Sequence, residues 1–271
     1  MSLLTDALRL AVARGDRAFI PFLAAGFPDQ ETSERALRAV AVAGADAVEI
    51  GIPYSDSLAD GPVVQGAYHR AIERGQTLSR TLEMVGRLTR DGFPPVILMV
   101  AYNVIFRVGL SRFAALARAA GASAVLPPDL PVEEWCALAG ALAEHGLDGI
   151  RLVAPTTTQE RLPAIVGSAT GFVYYISRKG VTGVQSELPE GLEEAVRRVR
   201  AASPVPVAVG FGISSPEQAA AVGRAADGLV VGSALVKALD SPADPIGRVR
   251  ALATGLRVAL TGLGPLPPST P

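Results

Sequence analysis

The stretch GADAVEIGI, residues 44–52, decides the fold, because it joins the end of a helix to a buried strand. Its first glycine is typical of a helix end, a small polar residue turns the chain, and an apolar strand follows. The same order of residues returns in GASAV at 121–125 and in GLDGI at 146–150, and without the first glycine in AADGL at 225–229. Such alternation of helices and strands predicts βαβ units and a parallel sheet.

The remaining apolar runs extend this pattern over the whole chain. Almost continuous apolar character is typical of parallel strands that are covered on both faces, and helical patterns fill the gaps. Eight strands predict a single-domain (β/α)8 TIM barrel at residues 1–263 with an extra N-terminal helix, followed by a disordered tail at 264–271. An open doubly wound sheet is the alternative. That fold usually has fewer strands and often a glycine-rich fingerprint after its first strand, which is absent here. The predicted strands are Ala18–Leu23, Ala47–Ile52, Val96–Ala101, Ala124–Leu126, Ile150–Ala154, Phe172–Ile176, Val205–Val209 and Gly228–Val231. The clearest predicted helices are Glu34–Ala43, Leu78–Thr89, Ser111–Ala120, Glu133–Glu144 and Glu217–Ala225.

Composition limits the classes of function. The chain has 271 residues, close to the roughly 250 of a typical barrel, and its 25 basic residues nearly cancel 26 acidic ones. No strong overall field is therefore available to attract nucleic acid or an anionic membrane. Cys136 is the only cysteine, and His69 and His145 lie in helical contexts, so we expect no intramolecular disulfide and no metal site. Without a secretory signal or an apolar span, we expect a cytoplasmic protein.

Two carboxylates mark the candidate active site at the end of the second strand. Glu49 lies inside an otherwise apolar strand, where burial raises the pKa of a carboxyl toward neutrality and suits a general acid or base. The following loop, PYSDSLADGP at 53–62, lets Asp60 return over the same end of the barrel. A buried ion pair for Glu49 and a solvated turn for the loop are the structural alternatives.

The sixth strand is followed by SRKGVTG at 177–183, whose two glycines suit a loop that closes as a lid. An ordinary basic surface loop is the alternative. With a period of two, Tyr175 and Tyr174 face opposite ways, so one of the two rings points into the barrel. An aromatic ring near the barrel mouth can pack against a flat apolar ligand, although core packing is the alternative.

Glycines after the seventh and eighth strands predict a phosphate site. Gly210 and Gly212 precede a helix start at 215–218, and Gly232-Ser233 opens another helix. Glycines let the backbone approach a ligand closely, and helix N-termini present free N–H groups to an anion. Phosphate sites of TIM barrels commonly lie in these two loops.

The chain resembles the tryptophan synthase alpha subunit family over almost its whole length. The motifs that carry the resemblance are FIPF at 19–22 with AGFP at 25–28, EIGIPYSD at 49–56 with LADGP at 58–62, YN at 102–103, PDLP at 128–131, APTT at 154–157, YY at 174–175 with GVTG at 180–183, and VGFGI at 209–213. The combination of the long Glu–Asp motif with the others is highly specific. Ala24, Ser57 and Val104 depart from the residues common in the family; Ser57 and Val104 lie in loops expected to meet a partner.

The resemblance implies retro-aldol cleavage of indole-3-glycerol phosphate into indole and glyceraldehyde 3-phosphate. It makes Glu49 the general acid/base, Asp60 the group that stabilises the indole cation, and Thr182 the loop residue that contacts Asp60 on closure. The indole pocket it implies is formed by Phe22, Val100, Tyr102, Val153 and Tyr175, and the phosphate site by Gly183, Phe211, Gly212, Gly232 and Ser233.

The resemblance further implies that the reaction needs no cofactor. Pyridoxal phosphate is expected only in a partner, the tryptophan synthase beta subunit, within an alpha2beta2 complex that the Asp56 loop contacts. Three alternatives remain open from sequence: a stand-alone lyase that releases free indole, a non-catalytic activating subunit, and another phosphate-binding barrel such as a sugar-phosphate isomerase.

Overall fold

The computed structural model describes residues 2–57, 60–176, 191–210 and 212–266. Within these ranges nine strands form one sheet in the order β5-β4-β3-β2-β1-β9-β8-β7-β6, with every pairing parallel. Only Ile150 separates β5 from β6, so these two segments form one interrupted strand. The sheet then closes on itself as a barrel of eight strands. The strands are β1 (Ala18–Ala24), β2 (Val48–Gly51), β3 (Val96–Met99), β4 (Ala124–Leu126), β5 (Asp148–Gly149), β6 (Arg151–Val153), β7 (Val173–Ile176), β8 (Val207–Gly210) and β9 (Gly228–Val231).

Helices surround this barrel, and the chain begins with the predicted extra helix. Leu4, Leu8 and Ala11 of the first helix are fully buried, so it covers part of the barrel rather than extending into solvent. The α-helices in the described ranges are α1 (Leu3–Ala13), α2 (Gln30–Val42), α3 (Pro62–Glu73), α4 (Leu78–Leu88), α5 (Tyr102–Val108), α6 (Leu110–Ala119), α7 (Trp135–Glu144), α8 (Leu162–Gly167), α9 (Leu192–Ala202), α10 (Pro216–Gly223), α11 (Ser233–Leu239) and α12 (Pro245–Ala259). The TIM-barrel prediction is confirmed.

Three element boundaries differ from prediction, each for a local reason. Helix α2 begins at Gln30, before the predicted Glu34, because the Asp29 carboxylate accepts a hydrogen bond from Thr32 N at 2.8 Å. The fifth strand of the barrel (β5 with β6) begins at Asp148, two residues before the predicted start, because Asp148 and Gly149 already pair with β4. A 3₁₀ turn at Val132–Glu134 precedes α7, so the α-helix itself starts at Trp135.

The repeated aspartate of the sequence pattern has a structural role. Asp46, just before β2, accepts a hydrogen bond from Phe19 N of β1 at 2.9 Å. Asp227, just before β9, accepts one from Val207 N of β8 at 2.7 Å. In each case a carboxylate accepts a hydrogen bond from a backbone N–H group near the start of the neighbouring strand. The repeat therefore fixes strand entry at the end of the barrel opposite the candidate site.

Gly264, close to the last described residue, is attached to this same end of the barrel. Gly264 N donates to Gly15 O at 3.1 Å, and Arg17 Nη1 donates to Gly264 O at 3.0 Å. The packed part thus continues at least one residue into the predicted tail, and residues 267–271 lie outside the described ranges. Among the helices described, none combines the length and apolar character required to cross a bilayer.

Candidate active site

Glu49 lies on the interior face of the barrel, directly beside Phe22 on the neighbouring strand β1. Only 1% of its surface is exposed, and its Oε2 atom has no hydrogen-bond partner among the described residues. Burial, with a smaller contribution from the Asp60 charge, raises the pKa of Glu49 to about 8. The neutral acid therefore predominates near pH 7, as a proton donor requires.

Asp60 reaches the same cavity from the loop before α3. Its backbone is held because Gln65 Nε2 donates to Asp60 O at 2.9 Å and Asp60 N donates to Ser57 O at 3.0 Å. Burial first, and then the Asp129 charge, raise the pKa of Asp60 to about 7. The two carboxyls thus share one cavity, and the pKa of each is raised.

The cavity lies at the carboxyl ends of the strands, and apolar side chains from six strands form much of its wall. Leu152 and Tyr174 are register partners on β6 and β7 and line it together. The described lining residues are Phe22, Glu49, Asp60, Gly61, Val64, Met99, Leu126, Pro128, Leu152, Tyr174, Ile176, Gly210, Gly212, Val230, Gly232 and Ser233.

The structure corrects part of the pocket that the sequence implied. Tyr174 and Leu152 line the cavity, and not Tyr175 and Val153, which lie on the opposite faces of their strands. Burial raises the pKa of Tyr175 and the Arg198 guanidinium on α9 opposes that rise, so this ring lies toward the outer helices. A strand position displaced by one residue changes face, which explains both errors.

The same error of one position affects the third strand. Met99 lines the main cavity, whereas Val100 lines only a recess that adjoins it at Asp60, Met99 and Pro128. Tyr102 lines neither: its backbone N–H donates to Asp129 Oδ1 at 2.8 Å, and its ring contacts Phe106. Of the five predicted pocket residues, Phe22 is the one that lines the main cavity.

Small residues from the last two strands and the loops after them form another part of the cavity wall. Gly212, Gly232 and Ser233 line it, with Ser233 at the first position of α11. None of the described lining residues is a lysine or an arginine, so these residues offer an anion backbone N–H groups and hydroxyls instead. The predicted residues Phe211, Gly183 and Thr182 lie outside the described ranges, as does the loop 177–183.

Two glycines make room for Phe22 and were not predicted to do so. A Cβ atom at Gly51 would lie 2.7 Å from the Phe22 ring, and one at Gly232 would lie 2.9 Å from it. Since β1 lies between β2 and β9, the ring fills space that side chains on both neighbours would otherwise occupy. Both glycines are visible in the sequence, but only the strand order shows that both lie against the Phe22 ring.

Tyr68 of α3 was also missed from the sequence. Together with Val64 and Ala71 it forms an apolar stripe with helical spacing, which predicts core packing. In the structure its side chain lines the recess beside Asp60. Over the described ranges, no cluster of three or more His, Cys, Asp or Glu side chains has the geometry of a metal site.

Known proteins are similar to this chain in sequence and in fold. A family model described as tryptophan synthase alpha chain matches residues 8–257. The tryptophan synthase alpha chain of Gluconacetobacter diazotrophicus is 50% identical over 232 residues, or 85% of each chain. That of Citrifermentans bemidjiense is 46% identical over 237 residues, covering 88% of this chain and 89% of its own.

A solved structure of Mycobacterium tuberculosis tryptophan synthase superposes with a TM-score of 0.89 at 38% identity, covering 96% of this chain and 98% of the other. Sequence and fold agree over nearly the full length. The chain therefore belongs to the tryptophan synthase alpha chain family.

Proposed function

We propose that this cavity cleaves indole-3-glycerol phosphate into indole and glyceraldehyde 3-phosphate, the reaction of tryptophan synthase alpha chains. The observation that carries the proposal is that the buried carboxyl of Glu49 and the half-buried carboxyl of Asp60 share one mainly apolar cavity and that both have a raised pKa. A carboxyl with a raised pKa can give and take a proton near neutral pH, and a second carboxyl in the same cavity can stabilise positive charge on the substrate.

Glu49 performs both proton transfers. In its neutral form it gives a proton to C3 of the indole ring, which turns the ring into a cation. The resulting carboxylate then takes the proton of the hydroxyl on the carbon next to the ring. The O–H electron pair forms the aldehyde C=O bond, the C–C bond breaks, and its electrons return to the ring. Glu49 is neutral again when the step ends.

Asp60 stabilises the cation in the ionised form. Its carboxylate accepts a hydrogen bond from the indole N–H, and this bond strengthens as the ring becomes positive. Such stabilisation is strong where water is excluded, and Asp60 is half-buried at the cavity wall. Asp60 must therefore be charged while Glu49 is neutral.

The remaining lining residues place the two ends of the substrate. The indole ring is held by Phe22, Met99, Leu152 and Tyr174, and the phosphate by Gly212, Gly232 and Ser233. Gly183 and Phe211 are proposed as further phosphate ligands on the family resemblance. On the same basis, Thr182 is proposed as the residue that meets Asp60 when the loop closes. The first two sets line one cavity, which supports this assignment.

The direct test is an assay of indole release from indole-3-glycerol phosphate by the purified chain. We expect cleavage with equal amounts of indole and glyceraldehyde 3-phosphate. A chain that isomerises sugar phosphates but leaves this substrate intact would contradict the proposal. If the chain were a non-catalytic activating subunit, it would release no indole from this substrate, either alone or with a beta chain.

We further propose that the chain works in the cytoplasm with a tryptophan synthase beta chain in an alpha2beta2 complex, where the beta chain holds the pyridoxal phosphate and this chain needs no cofactor. The 54–57 loop and the start of α5 support a contact here, because Asn103 Nδ2 donates to Tyr54 Oη at 2.9 Å and Phe106 is 67% exposed. We expect a beta chain to increase cleavage and to elute with this chain. Full activity alone, unchanged by a beta chain, would favour a stand-alone lyase.

The pH dependence of cleavage follows from the two carboxyls. Activity requires Asp60 ionised and Glu49 neutral, so kcat/KM should fall below about pH 7 and above about pH 8. Asp129→Asn removes the charge that raises the pKa of Asp60, while the amide oxygen can still accept from Tyr102 N. We expect the acid limb of the pH profile to move to lower pH while the alkaline limb stays. An unmoved acid limb would show that Asp60 does not determine it.

A further inference from the structure

Tyr68 presents a buried hydroxyl group that the reaction described above does not use. Only 2% of the residue is exposed, and Oη has no hydrogen-bond partner among the described residues. A buried hydroxyl without a partner destabilises a protein, so a hydrocarbon of the same shape would fit this position better. Such a group is retained most readily where a ligand or water completes its hydrogen bonding.

The hydroxyl lies inside the barrel on the same side as Glu49. A Cβ atom at Gly51 would contact Tyr68 Oη more closely than any real Cβ contact allows. Gly51 and Glu49 are two residues apart on β2 and share its interior face. Tyr68 therefore reaches from α3 over the backbone of Gly51 to the strand face that carries Glu49.

Glu49 and Tyr68 each have a buried polar atom whose hydrogen bonding is incomplete, and the two side chains lie in the same region. Glu49 Oε2 and Tyr68 Oη are both buried without partners among the described residues, so they do not bond to each other. Tyr68 lines the recess and Glu49 lines the main cavity, and the two spaces share Asp60, Met99 and Pro128. Burial, followed by the charges of Asp60 and Glu49, raises the pKa of Tyr68, so its proton remains available for donation.

We propose that Tyr68 is a catalytic residue whose hydroxyl binds the substrate oxygen that Glu49 deprotonates. This inference rests on the proposed function. The oxygen is the hydroxyl on the glycerol carbon attached to the indole ring; it accepts a hydrogen bond from Tyr68 Oη and donates one to Glu49.

The hydrogen bond from Tyr68 strengthens when it is needed. As Glu49 takes the hydroxyl proton, negative charge develops on the substrate oxygen, and a donor already aimed at that oxygen stabilises it. The electron pair then forms the C=O bond while the C–C bond breaks toward the ring. Tyr68 keeps its own proton throughout, so no further acid or base enters the balance.

Tyr68→Phe tests the proposal, because it removes the hydroxyl and keeps the ring. We expect kcat/KM for indole-3-glycerol phosphate to fall about tenfold or more, as for the loss of one strong hydrogen bond in the transition state. We expect Tm to stay equal or rise, since an unsatisfied buried group is lost. Tyr175→Phe, the same change on a ring that faces the outer helices, is the matched control and should keep kcat/KM within about twofold.

A second measurement separates this proposal from the proposed function. Indole-3-propanol phosphate keeps the ring and the phosphate but lacks both glycerol hydroxyls, so Tyr68→Phe should leave its Kd unchanged while it weakens binding of the substrate in a Glu49→Gln background. Unchanged cleavage by Tyr68→Phe, or equal weakening of both ligands, overturns the role of Tyr68. Absence of cleavage by the unaltered chain overturns the proposed function, and the ratio of the two Kd values then still decides whether Tyr68 binds the hydroxyl.

Discussion

Glu49→Gln should lower kcat for indole-3-glycerol phosphate cleavage by about 10³-fold or more, the upper part of the range for a general acid–base group. Glutamine has nearly the shape of the neutral acid, so the cavity wall beside Phe22 is preserved. It has no proton that can pass to the ring carbon and no basic form that can take the hydroxyl proton. Both transfers assigned to Glu49 are lost together.

Substrate binding should survive this change, and that separates chemistry from affinity. We expect the Kd of indole-3-propanol phosphate to change less than about threefold, because ring and phosphate contacts come from other residues. Glu144→Gln on the exposed end of α7 is the matched control and should cleave normally. Turnover above a few per cent in Glu49→Gln would remove Glu49 from its role.

The same variant has a predicted signature in stability. The pKa of Glu49 rises from 4.5 to about 8 on folding, so the folded state binds more protons than the unfolded state between these values. The stability of the unaltered chain therefore falls as pH rises through that window, since a charge must be held without water. Tm measured at several pH values should decline less steeply for Glu49→Gln. Parallel curves would show that Glu49 is not buried as described.

The barrel was predictable from sequence because its signal is repeated. Eight apolar runs, four of them preceded by the same helix-to-strand transition, leave few alternatives, and the repeated aspartates before β2 and β9 have equivalent hydrogen bonds. The start of α2 was less predictable, because it depends on one cap from Asp29. A local side-chain contact of this kind leaves the overall pattern unchanged.

The site was predictable only in part. Glu49 stood out because a carboxylate interrupts an apolar strand, but the pocket walls depend on which face of each strand points inward. Tyr174 and Tyr175 are adjacent and chemically identical, so composition offered no means to choose between them. Tyr68 was hidden for another reason: its helical stripe is the pattern of ordinary core packing, and only the missing Cβ of Gly51 brings its hydroxyl to the interior.

Gly51→Ala should reduce kcat/KM about 100-fold, although it adds a single methyl group far smaller than the cavity. The new Cβ would lie 2.7 Å from two atoms of the Phe22 ring and closer still to Tyr68 Oη. Neither neighbour is the free end of a flexible chain, because Gly232 bounds the Phe22 ring on its other side and Tyr68 is packed in α3. Displacement of site groups by about 1 Å is enough for a loss of this size.

Gly66→Ala is the matched control, since it adds the same methyl to α3 where no atom lies within 4 Å. Alanine favours a helix over glycine by up to about 1 kcal/mol, so Gly66→Ala should keep full activity and a Tm at least equal to that of the unaltered chain. Gly51→Ala should lower Tm, because overpacking a closed core costs about 1–3 kcal/mol. Adding Tyr68→Phe to Gly51→Ala should recover part of the Tm but not the activity, because the Phe22 contact remains and the hydroxyl is gone. Wild-type kcat/KM in Gly51→Ala would mean that Phe22 and Tyr68 move aside freely, and that the close packing over β2 does not position the site.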